Sequence, residues 1–334
     1  MTTGAADILV AGEGRVDLLD PAAAATGSAG ALARTPLQLF WRRLRSDRLA
    51  LIALGFVVLL VLVAVAAPLV VQIAGVPGPN VLDPNATNAF GAPLGPSAGH
   101  PFGVDQLGRD VFARVVYGAR ASLEVGLLGT ALATLIGTVV GLLAGFHGGW
   151  VDTLLSRTID VVLCFPVLLL GLGLGAACDV HGCAAGAIQP GVPTIIAIVA
   201  LVNWTYIARI VRGQVLALRE RDFVLAARSL GASNTRILTR EILPNLLAPV
   251  IVYSSLLIPQ NILLEAALSF LGVGVRPPTA SWGQMLADAT PIFTTAWWYM
   301  VFPGLALLFT VLAFNLLGDG LQDALNPRGQ VTHT

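Results

Sequence analysis

The sequence predicts an all-α polytopic membrane protein with six transmembrane helices and both termini in the cytoplasm. Hydrophobic residues make up 56% of the 334 residues, charged residues only 11%, and the mean hydropathy is +0.80, which is far above ordinary soluble domains. Six apolar runs are long enough to cross a hydrocarbon core of about 30 Å. These runs are continuous rather than alternating, which favours helices over a closed β-barrel.

The six predicted spans also define the sidedness of the chain. They are residues 49–71, 121–146, 151–176, 192–210, 246–271 and 297–317. An even number of spans places both termini on the same side of the membrane. Fifteen of the 19 basic residues, all of them arginine, fall on that side, and only Arg109, Arg114, Arg120 and Arg276 fall on the other. The positive-inside rule therefore places the termini and the 219–245 loop in the cytoplasm.

The spans divide the chain into five segments. Residues 1–33 are predicted to be a disordered cytoplasmic tail, because they are polar and weakly periodic. An amphipathic segment and the first span occupy 34–71, and an extracytoplasmic loop occupies 72–120. The spacing of Val111, Phe112, Val115 and Val116 predicts a helix on the membrane surface within that loop. A core with five spans occupies 121–320, and a cytoplasmic tail occupies 321–334.

The absence of lysine excludes one class of activity. A nucleotide-binding P-loop requires a lysine to contact the terminal phosphates, and this chain has none. We therefore expect the chain to bind no cofactor, so that any ATP and Mg²⁺ would be held by partner subunits. The four histidines are scattered, and no pair has the spacing of a zinc site on one helix face. The sequence predicts a protein that is not itself an enzyme.

The loop at 219–245 is polar and arginine-rich, in contrast to its apolar surroundings. Gly231 can adopt a positive φ just past a helix end, and Ser233 is a suitable N-cap for a second helix. Leu243-Pro244 is expected to end that helix. The small pair Ala226-Ala227 would allow close approach to another protein. The pattern predicts two short cytoplasmic helices that meet at an angle.

The order Ala226-Ala227, three residues, Gly231, and Leu243-Pro244 resembles the signature loop of ABC importer permeases. That loop reads Glu-Ala-Ala, three residues, Gly, nine residues, Ile, one residue, Leu-Pro. Leu225 stands where the family has glutamate, and Glu241 stands where it has isoleucine. By this resemblance the candidate ATPase-coupling residues are Leu225, Ala226, Ala227, Arg228, Gly231, Leu243 and Pro244. A similar stretch at 265–272 is rejected, because its glycine comes one residue late and no Leu-Pro follows.

Segments elsewhere resemble the C-type subunits of dipeptide and oligopeptide permeases. They are residues 100–110, 117–120, 144–152, 267–272, 277–283 and 315–323, and the resemblance extends from about 36 to 328. It implies a type I ABC importer permease fold in a bacterial cell membrane. It also implies a homologous B-type permease, two ABC ATPases and an extracytoplasmic solute-binding protein that delivers peptide, and no nucleic acid. Importers of nickel, glutathione or other small solutes share these signatures, so they remain alternatives.

Polar residues within the spans are candidates for the translocation pathway. A charge at the bilayer centre costs roughly 2.5 to 3.5 kcal/mol, so Asp160 and Glu265 should face protein or water. A mid-span proline frees a backbone carbonyl, and neighbouring amides could face a cavity or form hydrogen bonds between helices. The candidate pathway residues are Asn203, Pro259, Gln260 and Asn261.

Small residues and cysteines give two further expectations. Gly137, Gly141 and Gly145 recur every four residues, which predicts close packing of helices in lipid. Cys178 and Cys183 share a short outer loop on the oxidising side, where a disulfide is favoured over a metal site that includes His181.

Two other classes of protein are weighed against the importer. A secondary transporter would need intramembrane acids arranged for ion coupling and a repeat between its halves. A membrane-embedded enzyme would need a convergent nucleophile and base within the spans. Neither pattern is evident in the sequence.

Overall fold

The computed structural model describes residues 36–88, 92–178, 182–184 and 186–325. Within these ranges the chain is helical. The helices are α1 (Pro36–Ser46), α2 (Arg48–Val65), α3 (Ala67–Ile73), α4 (Val111–His147), α5 (Gly149–Cys164), α6 (Val167–Cys178), α7 (Val192–Leu218), α8 (Asp222–Ser229), α9 (Asn234–Arg236), α10 (Leu243–Phe270), α11 (Trp282–Ala289) and α12 (Trp297–Leu325). The predicted tail 1–33 lies outside the described residues, as do residues 326–334. The predicted boundary at residue 320 falls inside α12.

Five helical stretches are long and apolar enough to cross a membrane, and a bent pair of helices brings the number to the predicted six when it is counted as one span. Four crossings are α2, α4, α7 and α12, and a fifth is the stretch from Asn234 to Phe270 that contains α9 and α10. The sixth consists of α5 and α6, whose axes are bent by 88° at the break between them. The prediction of one uninterrupted span at 151–176 is therefore wrong. Pro166 lacks a backbone N–H, and Phe165 before it is extended, with φ −84° and ψ 132°.

The predicted surface helix is part of a membrane-spanning helix. Asp110 begins α4 by accepting a hydrogen bond from the N–H of Ala113 at 2.7 Å, and the helix continues for 37 residues to His147. No break occurs at Arg120, where the sequence predicted the end of the extracytoplasmic segment. The apolar residues 111–116 are buried against α11 and the segment after α3 rather than against a membrane surface.

The glycine repeat on α4 packs against α7, as predicted. A Cβ atom on Gly141 would lie 2.6 Å from the carbonyl oxygen of Ala208. Gly137 and Gly145 face α7 in the same way, one turn to either side. Each position therefore accepts only glycine without displacing the neighbouring helix, and the pair α4–α7 forms the centre of the bundle.

Both ends of the described chain lie at one end of the bundle. Leu44 of α1 and Ala50 of α2 form a buried cluster with Ala324 near the end of α12. Gly320 of α12 is so close to Ala50 that a Cβ atom would overlap the alanine methyl. We call this the inner end. The 219–245 loop also lies there, because Arg219 Nη1 donates to the carbonyl of Gly145 at 3.1 Å.

The described part of the segment between α3 and α4 lies at the opposite, outer end. Asp105 accepts a hydrogen bond from Arg109 Nε at 2.6 Å and lies 3.7 Å from Nε of the fully buried Arg114. Burial raises the pKa of the nearby Asp288 carboxyl above its ordinary value, and the positive charge of Arg114 opposes this shift. These contacts indicate a structural role for residues 105–110.

Candidate functional site

The first half of the 219–245 loop is a short helix with a glycine-dependent end. The N–H of Ala232 donates to the carbonyl of Ala227 at 3.0 Å, and the N–H of Gly231 donates to the carbonyl of Arg228 at 3.0 Å. This pair of bonds is a Schellman motif, which requires a left-handed residue just past the helix. Gly231 has φ +77°, and a Cβ atom there would meet nothing within 4 Å. The glycine is therefore needed for its backbone conformation and not for space.

The second half of the loop continues into the fifth crossing. Ser233 begins it by accepting from the N–H of Arg236 at 3.4 Å, as predicted. The expectation that Leu243-Pro244 ends this helix is wrong, because residues 234–270 are one continuous helical stretch. A π-helical turn at Ile237–Ile242 precedes the proline, and Leu243 N–H donates to the carbonyl of Leu238, five residues back. The wider turn accommodates the ring of Pro244 and its missing N–H.

The loop is anchored to the bundle by one face of α8. Val224 is fully buried in a cluster with Ile237, Ile242, Val215 of α7 and Leu246 of α10. Among the candidate coupling residues, Ala227 and Leu243 are half-buried against this cluster. The remaining candidates point away from the bundle: Leu225, Ala226, Arg228, Gly231 and Pro244 are exposed. The structure thus divides the signature into anchoring residues and a free surface at the inner end.

Two of the candidate pathway residues meet in the interior. Asn203 of α7 donates to Asn261 Oδ1 of α10 at 2.6 Å, and Asn261 Nδ2 donates to Thr130 Oγ1 of α4 at 2.7 Å. All three side chains are buried. Pro259 is buried nearby, whereas Gln260 is exposed. The two asparagines therefore join helices in the described chain, and Gln260 is the member of the set that faces outward.

Glu265 lies deep in the structure near the outer end of α10. Its carboxylate accepts hydrogen bonds from Ser122 of α4 at 2.9 Å and from Ser269 at 2.8 Å, and the residue is fully buried. It faces protein, as expected for an acid within a span. Its position also agrees with the rejection of the 265–272 stretch as a docking loop, because that stretch lies at the end of α10 opposite the inner end.

Two ion pairs that the sequence did not predict join α5 and α7. Arg212 donates to Asp152 through Nε at 2.5 Å and through Nη2 at 2.8 Å. Farther from the start of α5, Arg209 Nη2 donates to Asp160 at 2.8 Å, and this pair is the more exposed of the two. Both pairs line a cavity of about 340 Å³. The signal for this site was present in the sequence, since Asp152 and Asp160 are eight residues apart and so share one helix face.

The two outer cysteines are joined. Cys178 and Cys183 form a disulfide with an S–S distance of 2.00 Å and a Cα–Cα distance of 4.8 Å. Cys178 is the last residue of α6, and Cys183 is in the loop that leads to α7. The disulfide closes a loop at the outer end.

Two family profiles match most of the chain. Residues 137–330 match the family described as the binding-protein-dependent transport system inner membrane component. Residues 35–88 match the N-terminal transmembrane domain of oligopeptide transport permease C. The first match contains the 219–245 loop and the helices α5, α6, α7, α10, α11 and α12.

Relatives with assigned names align along almost the whole chain. The glutathione transport system permease protein GsiD of Escherichia coli is 43% identical over 295 residues, which cover 88% of this chain and 91% of the relative. The dipeptide transport system permease protein DppC of Alkalihalophilus pseudofirmus is 39% identical over 88% of this chain and 90% of its own length. The oligopeptide transport system permease protein OppC of Bacillus subtilis is 38% identical over 93% and 97%.

Solved structures support the fold. A chain of the MetNI methionine ABC transporter in an inward-facing conformation superimposes with a TM-score of 0.53 at 19% identity. The alignment covers 64% of this chain and 96% of that one. A second crystal form of the same transporter gives a TM-score of 0.52. The chain is therefore a multi-pass inner-membrane permease of the binding-protein-dependent transport system family, in the branch that contains the C-type subunits of dipeptide and oligopeptide permeases.

Proposed function

We propose that this chain is a permease subunit of an ABC importer that moves di- and oligopeptides into the cell. The observation that carries the proposal is the exposed face of α8, with its glycine-dependent end, at the inner end of the bundle. Two of the relatives described above have names that specify dipeptide and oligopeptide transport. The same loop receives the work of ATP hydrolysis that partner ATPases perform.

The anchoring of α8 explains how this work would reach the membrane. Val224 packs into the same buried cluster as Val215 of α7 and Leu246 of α10. Protein interiors are close-packed and transmit displacement, so a shift of α8 moves the inner ends of both helices. When ATP binding closes the ATPases, α8 is drawn with them. The helices then rock, and the transport pathway of the assembled importer, which faced the cytoplasm, opens towards the binding protein.

The exposed face of α8 indicates the chemistry of the docking groove. Leu225 is 44% exposed and Leu230 is 88% exposed, and the basic residues Arg221 and Arg228 flank them. Leu225 occupies the position where the family signature has glutamate. Docking here therefore rests on apolar contact, and the complementary groove on the ATPase is apolar with an acidic rim.

The complete importer contains several partners beside this chain. A homologous B-type permease would form the other half of the pore, and two ABC ATPases would bind the inner loops and hold ATP and Mg²⁺. An extracytoplasmic solute-binding protein would deliver peptide at the outer end. Selectivity would reside mostly in that binding protein, because a pore that passes varied peptides must release them readily.

Glutathione is the second candidate cargo. The specific observation in its favour is the 43% identity to a glutathione permease. Glutathione is itself a small peptide with free carboxylates, so the same pore chemistry would serve either cargo.

The test is uptake by the assembled complex in proteoliposomes. Trialanine and glutathione are offered with a solute-binding protein that binds them, with and without ATP and with a protonophore. The proposal predicts trialanine uptake that requires ATP and binding protein and that resists the protonophore. Uptake of glutathione with no uptake of trialanine would favour the second cargo. Uptake that the protonophore abolishes would indicate a secondary transporter.

A further inference from the structure

Charged side chains are exposed along one face of the α5–α7 pair, within two membrane-crossing segments. Asp160 lies eleven residues from the start of α5, which is about 16 Å of helix rise. Its side chain is 49% exposed, and that of Arg209 is 58% exposed. A charge turned towards lipid costs roughly 2.5 to 3.5 kcal/mol. This face of the bundle is therefore turned towards water or protein and not towards lipid tails.

The two ion pairs on this face differ in how fully they are satisfied. Arg212 uses two nitrogens on the two oxygens of Asp152 and is about one-third exposed. Among the described residues, Arg209 donates a hydrogen bond to a side chain through Nη2 alone, to Asp160 at 2.8 Å. Arg209 lines the cavity, and its side chain is more exposed than that of Arg212. The Asp152–Arg212 pair is a clamp between the two helices. Arg209 has further N–H groups with which to bind a ligand.

The cavity has the size and the charge for a small anionic group. Its volume of about 340 Å³ lies within the usual range of small-molecule sites. Its wall contains Arg157, Arg209 and Arg212 against Asp152 and Asp160, which leaves a surplus of one positive charge. Arg157 is 3.8 Å from Asp160 and 78% exposed, so Asp160 is shared between two arginines. An arginine fork presents parallel donors that match a carboxylate.

We propose that the cavity between α5 and α7 is a carboxylate-binding site on the transport route, where Arg209 binds the free carboxylate of a passing peptide in exchange for Asp160. This inference rests on the proposed function and assigns the substrate group that the route recognises. Exchange replaces one ion pair by another, so little free energy is gained or lost. A partly exposed ion pair is weak, which permits the rapid release that transport requires.

The experiment compares two probes in the assembled importer. Proteoliposomes contain this chain, its B-type partner and the ATPases, and the binding protein is loaded beforehand with either trialanine or its C-terminal amide. The measured quantity is the ratio of the initial uptake rates, carboxylate over amide. Arg209→Gln is expected to lower this ratio about two- to fivefold, the range for a partly exposed ion pair, by slowing trialanine alone. Asp160→Asn frees Arg209 and is expected to raise the ratio.

The control is the satisfied pair on the same face. Arg212→Gln breaks the clamp to Asp152 and removes one charge from the cavity wall, so it is expected to slow the uptake of both probes and to lower the ratio less than Arg209→Gln does. A ratio that stays at the wild-type value in both Arg209→Gln and Asp160→Asn would overturn the proposal. Loss of the B-type subunit from purified Arg209→Gln complex would overturn it as well, because Arg209 would then belong to the subunit interface. If the wild-type complex imports neither probe, the peptide cargo itself is wrong.

Discussion

The side-chain amide of Asn203 donates to Asn261 across 2.6 Å, in the buried interior between α7 and α10. Asn261 in turn donates a hydrogen bond to Thr130 of α4. The chain of two bonds ties together three membrane-crossing helices. Because α8 is anchored to α7 and α10 by the same core, these helices are expected to move as one body when the inner loop is displaced.

The first prediction concerns this network. Asn261→Leu removes both bonds and leaves the amide of Asn203 buried without its acceptor. We expect a loss of stability of about 1 kcal/mol, since interhelical hydrogen bonds in membranes contribute roughly 0.6 to 1.7 kcal/mol. Thermal unfolding of the purified complex measures the effect. The adjacent and exposed Gln260→Leu is the control and should unfold like wild type. Equal unfolding temperatures of the two variants would contradict a structural role for Asn261.

The second prediction concerns the glycines of α4. Gly141→Ala places a methyl group 2.6 Å from the carbonyl oxygen of Ala208, so α4 and α7 must separate. Overpacking of this kind costs about 1 to 3 kcal/mol. Gly55→Ala on α2 is the matched control, because a Cβ atom there meets nothing within 4 Å. That change should be neutral or slightly stabilising, since alanine favours helix over glycine by about 1 kcal/mol. A stability loss at Gly55 as large as at Gly141 would argue against close approach as the cause.

The third prediction concerns the buried arginine at the outer end. Asp105→Asn removes the negative charge beside Arg114, which is fully buried. Removing one partner of a buried ion pair costs about 3 to 5 kcal/mol, and Asp288 remains as a second negative charge near Arg114, so the variant should unfold at a lower temperature. Glu124→Gln is the control, because its pair with Arg120 is about half exposed and such pairs contribute at most about 1 kcal/mol. An unfolding temperature for Asp105→Asn as high as for Glu124→Gln would contradict this account.

The fourth prediction concerns the apolar docking face. Leu225→Glu restores the residue type of the family signature but puts a charge on a surface that we expect to enter an apolar groove. The variant should assemble and should show weaker coupling of ATP hydrolysis to uptake, whereas Leu225→Met should resemble wild type. The number of ATP molecules hydrolysed per peptide imported is the measurement. Coupling by Leu225→Glu equal to that of Leu225→Met would refute the apolar docking.

The sequence correctly predicted an all-helical membrane protein and five of its crossings, with the bent pair α5–α6 as the sixth when counted as one span, because crossings follow from local hydropathy. It failed at prolines, where tertiary context decides the outcome. Pro166 breaks a predicted span, yet Pro244 is accommodated by a π-helical turn and does not end its helix. The sequence also did not predict Val111–His147 as one helix, because its first turns are covered by α11 and not by lipid.

The site was predictable only where a motif marked it. Gly231 and Ser233 have the roles that their residue types suggested, because a Schellman motif and an N-cap are local structures. The pairing of Asp160 with Arg209 joins residues 49 positions apart. That contact depends on the packing of α5 against α7, which hydropathy does not specify.

The coupling role of Gly231 is the central claim, and transport by its variants tests it most directly. Gly231→Val and Gly231→Asn are compared in the assembled complex by measuring ATP hydrolysis together with peptide uptake. Nothing lies within 4 Å of the Cβ position, so the two changes differ mainly in how well they tolerate φ +77°. Asparagine visits this region and valine does so at considerable cost. The account predicts near-normal uptake for Gly231→Asn and uptake reduced at least tenfold, about 1.4 kcal/mol, for Gly231→Val with hydrolysis uncoupled. Normal coupling in Gly231→Val would contradict it.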